Sequence, residues 1–352
     1  MMKMNKWTMA LAAAGVVSLS SVAQAQEAAA GAEALAASTT LSGYVSTSYT
    51  FDGEAVGQDI AKTNGGSDSQ FSLDVVSLTL ASAQGAGEYA TGYTVQLWAG
   101  PNDGAETDDQ ASLEQANIDL RLPFGNGIDL KVGKMGTVVG NEVYDYNQNA
   151  FFQRSVAFSV QPTHHTGVLA SYQVTDDLAV QVGFVNDTKS NTSNPANNED
   201  TGSTATLASV GYTLPDSMGF AGGTGIKWAT VRDAGADGSE QDNDYFQLDL
   251  PTIVEGLSLQ GTADYVTSGA NDDEIYGIHA GYSLNDKATL NLRYEFGQLE
   301  TSSTHLGIES VAVGVTYDLW ENVTSRVEWM STSSDSATYD DDTLAINLVY
   351  SF

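Results

Sequence analysis

Cysteine is absent from all 352 residues. That excludes a disulfide framework, a thiol nucleophile and any Cys-based metal site. Basic residues are scarce: 13 Lys plus Arg stand against 45 Asp plus Glu, a formal charge of −32. Nucleic acid is not expected as a partner, because a phosphate backbone needs clustered Lys and Arg. The acidity fits a cation-conducting surface and a saline habitat equally well, and composition does not separate them. Proline is limited to six residues. No amphipathic helix is evident past residue 40, and beyond the leader no apolar run reaches the 18 residues that a membrane-spanning helix requires. An all-β chain remains.

Residues 1–25 read as a signal peptide. Lys3 and Lys6 form a positive start, Thr8 to Ser20 an apolar stretch, and Ala23-Gln24-Ala25 the small residues that signal peptidase reads. Residues 26–39 are an Ala-rich stretch expected to be a periplasmic tail, and 40–352 the folded domain.

That domain alternates. In 288–296 one face is Ala288, Leu290, Leu292, Tyr294 and Phe296, and the other is Thr289, Asn291, Arg293 and Glu295. Successive side chains of a strand point to opposite faces, so this is a strand with one apolar and one wet side. The same pattern predicts strands at 41–51, 71–81, 89–99, 113–122, 128–135, 166–174, 178–186, 204–214, 220–232, 244–250, 257–267, 275–284, 288–297, 307–319, 323–332 and 343–352. The ninth and tenth alternate weakly, and Val75-Val76 breaks phase as a bulge would. An even count near sixteen, within 14–18, fits a bacterial barrel.

Alternation also fits a soluble sandwich, and the connections decide between them. Short turns (Pro123 to Gly127, Thr175 to Asp177, Pro215 to Gly219, Asn285 to Lys287, Trp320 to Asn322) are interleaved with long acidic or Asn/Ser/Gly-rich connections at 52–70, 100–112, 136–165, 187–203, 233–243 and 333–342. Short turns at one rim and long loops at the other are how outer-membrane barrels are built. Aromatics fall at both ends of the apolar phase, with Tyr172, Tyr212, Tyr282, Tyr317, Trp320, Tyr350 and Phe352 toward the turn rim. Tyr49, Phe51, Tyr265, Phe296 and Trp329 lie toward the loop rim. The expected fold is a transmembrane antiparallel up-and-down β-barrel in the outer membrane, bordered by lipid and lipopolysaccharide.

Residues 113–123, Leu113-Glu114-Gln115-Ala116-Asn117-Ile118-Asp119-Leu120-Arg121-Leu122-Pro123, lead into Gly125 to Lys134. Gly140-Asn141-Glu142, Arg154-Ser155 and Pro162-Thr163-His164-His165-Thr166-Gly167-Val168 follow. Together with Leu41 to Val45 and the terminal Phe352, these motifs resemble the OmpL-like group of β-barrel porins and, more distantly, the phosphate-selective porins. The resemblance implies a diffusion channel whose third external loop folds into the lumen, and a homotrimer. The terminal Phe352 resembles the signal read by the barrel-assembly machinery. Phosphate-selective porins line their pore with many Arg and Lys, and this chain departs from that pattern.

The longest connection, 136–165, carries Tyr144, Tyr146, Phe151, Phe152 and Phe158, more apolar mass than a solvated loop exposes. If it folds inward, Glu142 and Asp145 oppose a wall carrying Arg121, Lys131, Arg293 and Arg326, and Lys131 and Arg293 bracket the channel; Glu295 and Glu328 fall on the same lumen phase. Arg154 is expected to anchor the loop to a lumen carboxylate such as Glu114. Asp119–Arg121 and Asp129–Lys131, two residues apart, are expected to cancel.

Enzyme chemistry is not expected. None of His164, His165, His279 and His305 has a strand Ser two residues away, as a barrel hydrolase would need. No cofactor is expected beyond Ca²⁺ or Mg²⁺ held loosely by acidic loops at 233–244, Asn271 to Glu274 and Asp340 to Asp342. The expected function is passive diffusion of small hydrophilic solutes or ions with a weak cation preference. A solute-specific channel and a structural or adhesive surface barrel remain as alternatives.

Overall fold

Strands with one apolar and one polar face gain by closing on themselves, which leaves no unpaired edge and turns the apolar faces toward lipid. A computed structural model describes residues 38–52, 56–57, 70–100, 111–186, 204–233, 241–269, 271–301, 304–335 and 339–352. The signal peptide and nearly all of the tail lie outside these residues, as do most of the long connections. The wall is a closed 16-strand antiparallel barrel. Its first half is β1 Thr39–Asp52, β2 Gln70–Ser82, β3 Thr91–Ala99, β4 Ala111–Leu122, β5 Ile128–Gly136, β6 His164–Gln173, β7 Leu178–Val185 and β8 Ala205–Thr213. The second half is β9 Gly225–Asp233, β10 Gln241–Asp249, β11 Leu257–Ser268, β12 Asn271–Asn285, β13 Ala288–Thr301, β14 Thr304–Trp320, β15 Val323–Ser334 and β16 Tyr339–Ser351. Each strand pairs with the next, and β1 pairs with both β2 and β16, which closes the ring.

All sixteen strands expected from alternation are present, with shifted ends. The ninth starts at Gly225 rather than residue 220, because Asp216–Ala221 form a 3-10 turn in which Gly219 holds φ 64 and Gly223 follows at φ 82. Such backbone suits glycine and cannot continue a strand. The expected bulge falls one residue earlier, at Asp74: Ser46 pairs with Val75 and Thr47 with Leu73. A second skips Glu114, since Gln96 pairs with Gln115 and Leu97 with Leu113. Both bulges re-aim a carboxylate, leaving Asp74 and Glu114 buried.

The sidedness is inverted relative to a soluble protein. On β13, Arg293 is 0% exposed while the neighbouring Leu292 is 41% exposed. A charged residue inside and leucine outside are stable only where the outer medium is hydrocarbon. At the loop rim, Phe246, Tyr265, Tyr276, Phe296 and Tyr294 form a run of ring contacts across β10–β13. Tyr350 and Phe352 stack at the turn rim.

Candidate functional site

Residues 137–163, between β5 and β6, are folded across the lumen as a strap. Its neck is closed by Thr137 N donating to Thr163 O at 3.0 Å, with Thr137 Oγ1 3.0 Å from His165 Nε2. His165 thus serves the neck. Val138 and Val139 then pack on Met135, Leu169, Leu207, Val231 and Tyr245, an apolar cluster inside the near wall. Farther along, Tyr144 and Tyr146 stack on Trp98 with centroids 4.4 and 5.8 Å apart. Tyr146 and Phe152 join Tyr44, Ala345 and Val349 in a second cluster. The aromatics noted in the sequence are therefore the means by which the strap adheres to the barrel interior.

The strap is seated on the far wall through its backbone. Glu328 on β15 accepts the amides of Phe152 and Gln153 at 2.7 and 2.6 Å. Glu295 on β13 accepts those of Val156 and Ala157 at 2.9 and 3.1 Å. The latter two open a short helix, Val156–Val160, whose first N–H groups have no partner within the helix. Ser155 caps it by accepting from Phe158 N at 3.0 Å. The carbonyls are met by cations: Arg293 donates to Gln153 O at 3.2 Å and Arg154 O at 3.1 Å, and Arg326 to Asn149 O at 2.9 Å. Alternating carboxylates and guanidinia two residues apart on β13 and β15 thus read the N–H and C=O groups of an irregular segment. At membrane depth every such group must be satisfied by protein or by lumen water.

This geometry redistributes the residues singled out in the sequence. Arg293, Glu295, Arg326 and Glu328 are 0–3% exposed and lie beneath the strap, so they anchor it and do not face the passage. Arg154 does not reach Glu114; it donates to the carbonyls of Val143, at 2.7 Å, and Tyr144, and lies over the Tyr146 and Phe158 rings. It braces the strap against itself, while Glu114 accepts from Ser112 and faces His164 at 3.6 Å. The charges on β4 and β5 pair across strands, Arg121 with Asp129 at 3.0 Å and Lys131 with Asp119 at 2.8 Å. Directly opposite positions are nearer than those two apart on one strand, so the expected cancellation occurs with exchanged partners. Lys131, buried and bound to Asp119 and Asn117, does not bracket an open channel with Arg293.

Glu142 and Asp145 do border open space. Glu142 pairs with Arg293 at 2.5 Å and accepts from Ser155 N at 3.0 Å. Asp145 accepts from Gln96 at 2.7 Å. Burial pushes its carboxyl above the usual carboxylate range, opposed by that hydrogen bond and by nearby Arg154. Both line a cavity of about 550 Å³ between the strap and the wall of β9–β13, where Lys227, Gln247, Asp249, Gln260 and His279 face them. Sequence reasoning missed this wall because β9 and β10 alternate weakly. The lumen phase Gln241, Asn243, Tyr245, Gln247, Asp249 was nonetheless legible as a polar ladder. Among the described residues no three His, Asp or Glu converge to hold a metal ion.

A model of the family described as "Putative beta-barrel porin-2, OmpL-like" matches residues 38–350. The chain belongs to this porin family. No curated protein matches the sequence. Among solved structures, Salmonella typhi OmpF in complex with daunomycin aligns with a TM-score of 0.67 at 12% identity, over 89% of this chain and 97% of that one. An anion-selective porin from Comamonas acidovorans aligns at 0.63 and 12%, over 90% and 99%. The trimer form of Vibrio cholerae OmpT aligns at 0.62 and 13%, over 89% and 99%. At these identities the likeness is one of fold. This OmpL-like porin is an outer-membrane protein, and its interior differs from an open tube by the strap that crosses it.

Proposed function

We propose that this porin is a narrow diffusion channel for small hydrophilic solutes and ions, weakly cation-preferring, whose limiting cross-section lies between the strap and the β9–β13 wall. The observation that carries this reading is the cavity itself: its polar lining holds the carboxylates of Glu142, Asp145 and Asp249 against Lys227, with Arg293 paired to Glu142 from behind. The amides beside those carboxylates favour their ionised form. Gln96 donates to Asp145, and Gln247 and Gln260 donate to Asp249. A low-dielectric wall focuses the field of the remaining charge on the passage, and salt screens it.

Planar-bilayer recording on refolded protein tests the reading. Deleting 141–153 should raise single-channel conductance, and a KCl gradient should give a small cation-selective reversal potential that fades as salt rises. Unchanged conductance after the deletion would place the limit elsewhere, and strong anion selectivity would overturn the assignment of charges. A homotrimer, the form that names one Vibrio cholerae neighbour, is proposed here also and is tested by crosslinking in detergent. The acidic segments 271–274 and 340–342 are proposed to bridge Ca²⁺ or Mg²⁺ to lipopolysaccharide, so chelator should loosen lipid retained through purification.

A further inference from the structure

Two charges in the cavity are fixed by neighbours other than each other. Lys227, on the lumen face of β9, makes no hydrogen bond and no ion pair within 4 Å among the described residues; its ammonium lies 5.2 Å from the centroid of the Tyr245 ring. Asp249, on β10, accepts from Gln247 Nε2 at 3.1 and 3.0 Å and from Gln260 Nε2 at 2.8 Å. In the ladder Lys227 pairs with Gln247 and Gly225 with Asp249, so the two charged residues are diagonal neighbours on one face. Their Cα atoms are therefore roughly 7–8 Å apart. A cation and a carboxylate at that spacing in low dielectric would collapse into an ion pair unless held. Here a ring beneath one and three amide N–H contacts on the other hold them apart.

A fixed positive and a fixed negative group side by side match a solute that carries both signs on adjacent atoms. Each would sit about 2.8 Å from its partner, which leaves a few ångströms between the solute's own charges, the separation found in an α-amino acid. The cavity, about 550 Å³, falls in the range of small-molecule sites, roughly 300–1,000 Å³. His279 and Gln260 beside the pair, and Gln148 and Gln161 from the strap, supply neutral donors and acceptors around it. We propose that Lys227 and Asp249 form a subsite for a zwitterionic solute of the amino-acid type, with its carboxylate on Lys227 and its ammonium on Asp249. The proposal rests on the channel reading for its route of entry but on the two side chains for its recognition.

Alanine is the probe, added to single wild-type channels in KCl at neutral pH, with acetate, methylammonium and ribose as controls. Alanine should reduce the current saturably, and the controls should do so only weakly. A lost charge-assisted hydrogen bond weakens binding by about tenfold or more. Lys227→Gln and Asp249→Asn should therefore each raise the half-blocking concentration about tenfold while still conducting KCl, which keeps this test apart from that of the channel. Three outcomes would overturn the proposal: no saturable effect of alanine on a conducting channel, equal block by acetate or methylammonium alone, or block unaltered in both variants. Should the wild type not conduct at all, the channel reading fails. Equilibrium dialysis of labelled alanine against the refolded barrel then decides the subsite, absence of binding refuting it.

Discussion

Replacing Glu328 with Gln removes the charge from a side chain that accepts the Phe152 and Gln153 amides at 2.7 and 2.6 Å and is 2% exposed. Hydrogen bonds to a charged acceptor contribute roughly 1.5–3 kcal/mol each, against about 1 kcal/mol for a neutral pair. The glutamine oxygen retains one neutral bond, while its NH₂ meets the second backbone N–H donor to donor. The local loss is then on the order of 2–5 kcal/mol, or a rise of at least about 30-fold in the frequency with which this stretch of strap opens. Amide hydrogen exchange in detergent micelles reads this residue by residue. Phe152 and Gln153 should exchange faster by that factor, while Val156 and Ala157, seated on Glu295, stay protected. Glu295→Gln should give the converse, and the barrel strands should be unaffected in both. A change below about threefold at 152 and 153, or equal changes at all four amides in both variants, would refute the idea that each carboxylate seats its own segment.

Glu142→Gln should reduce cation preference, because it removes a lining carboxylate and leaves Arg293 with Glu295 as its remaining acid partner; reversal potentials check this, and an unchanged value would exclude Glu142 from the passage. Arg154→Ala should make the open current noisier by removing the brace between Val143, Tyr144 and the Phe158 ring. Unheated protein should migrate differently from boiled protein on SDS gels, since a closed sheet has no edge from which to unzip. Removing Phe352 should lower the amount inserted in cells far more than refolding in detergent. Gly43→Val should act in the same direction, because a side chain at Gly43 would meet the Phe352 ring at 2.9 Å and clash with the Ser77 carbonyl.

The wall was legible in the sequence because its cause is local: alternation places Leu290, Leu292 and Phe296 on one side and Asn291, Arg293 and Glu295 on the other whatever the rest of the chain does. The inward course of 137–163 was legible from its aromatics. What could not be read was which charge meets which. Arg121 and Asp129, or Arg293 and Glu142, are joined by strand register and by the path of the strap, neither of which has a sequence period. The roles of β13 and β15 were hidden for the same reason. A polar residue on the lumen phase looks alike in sequence whether it meets water or a backbone amide, and only the strap's placement separates Glu328 from Asp249.

The seat of the strap also has an order in time. The strap is complete once β6 has been made, but its carboxylate anchors belong to β13 and β15, more than a hundred residues later in the chain. Arg326, which holds Asn149 O, also donates to Asn347 on β16, and Asn347 reaches across the seam to Ser46 on β1 and to bulged Asp74 on β2. The strap's seat on the far wall therefore cannot form until the last strands have arrived, although its stacking on Trp98 needs only β3. Contacts of such sequence separation form late. A nascent barrel would pass through a stage in which its cross-member is docked on one side only, and joining the seam would be the event that completes its seat.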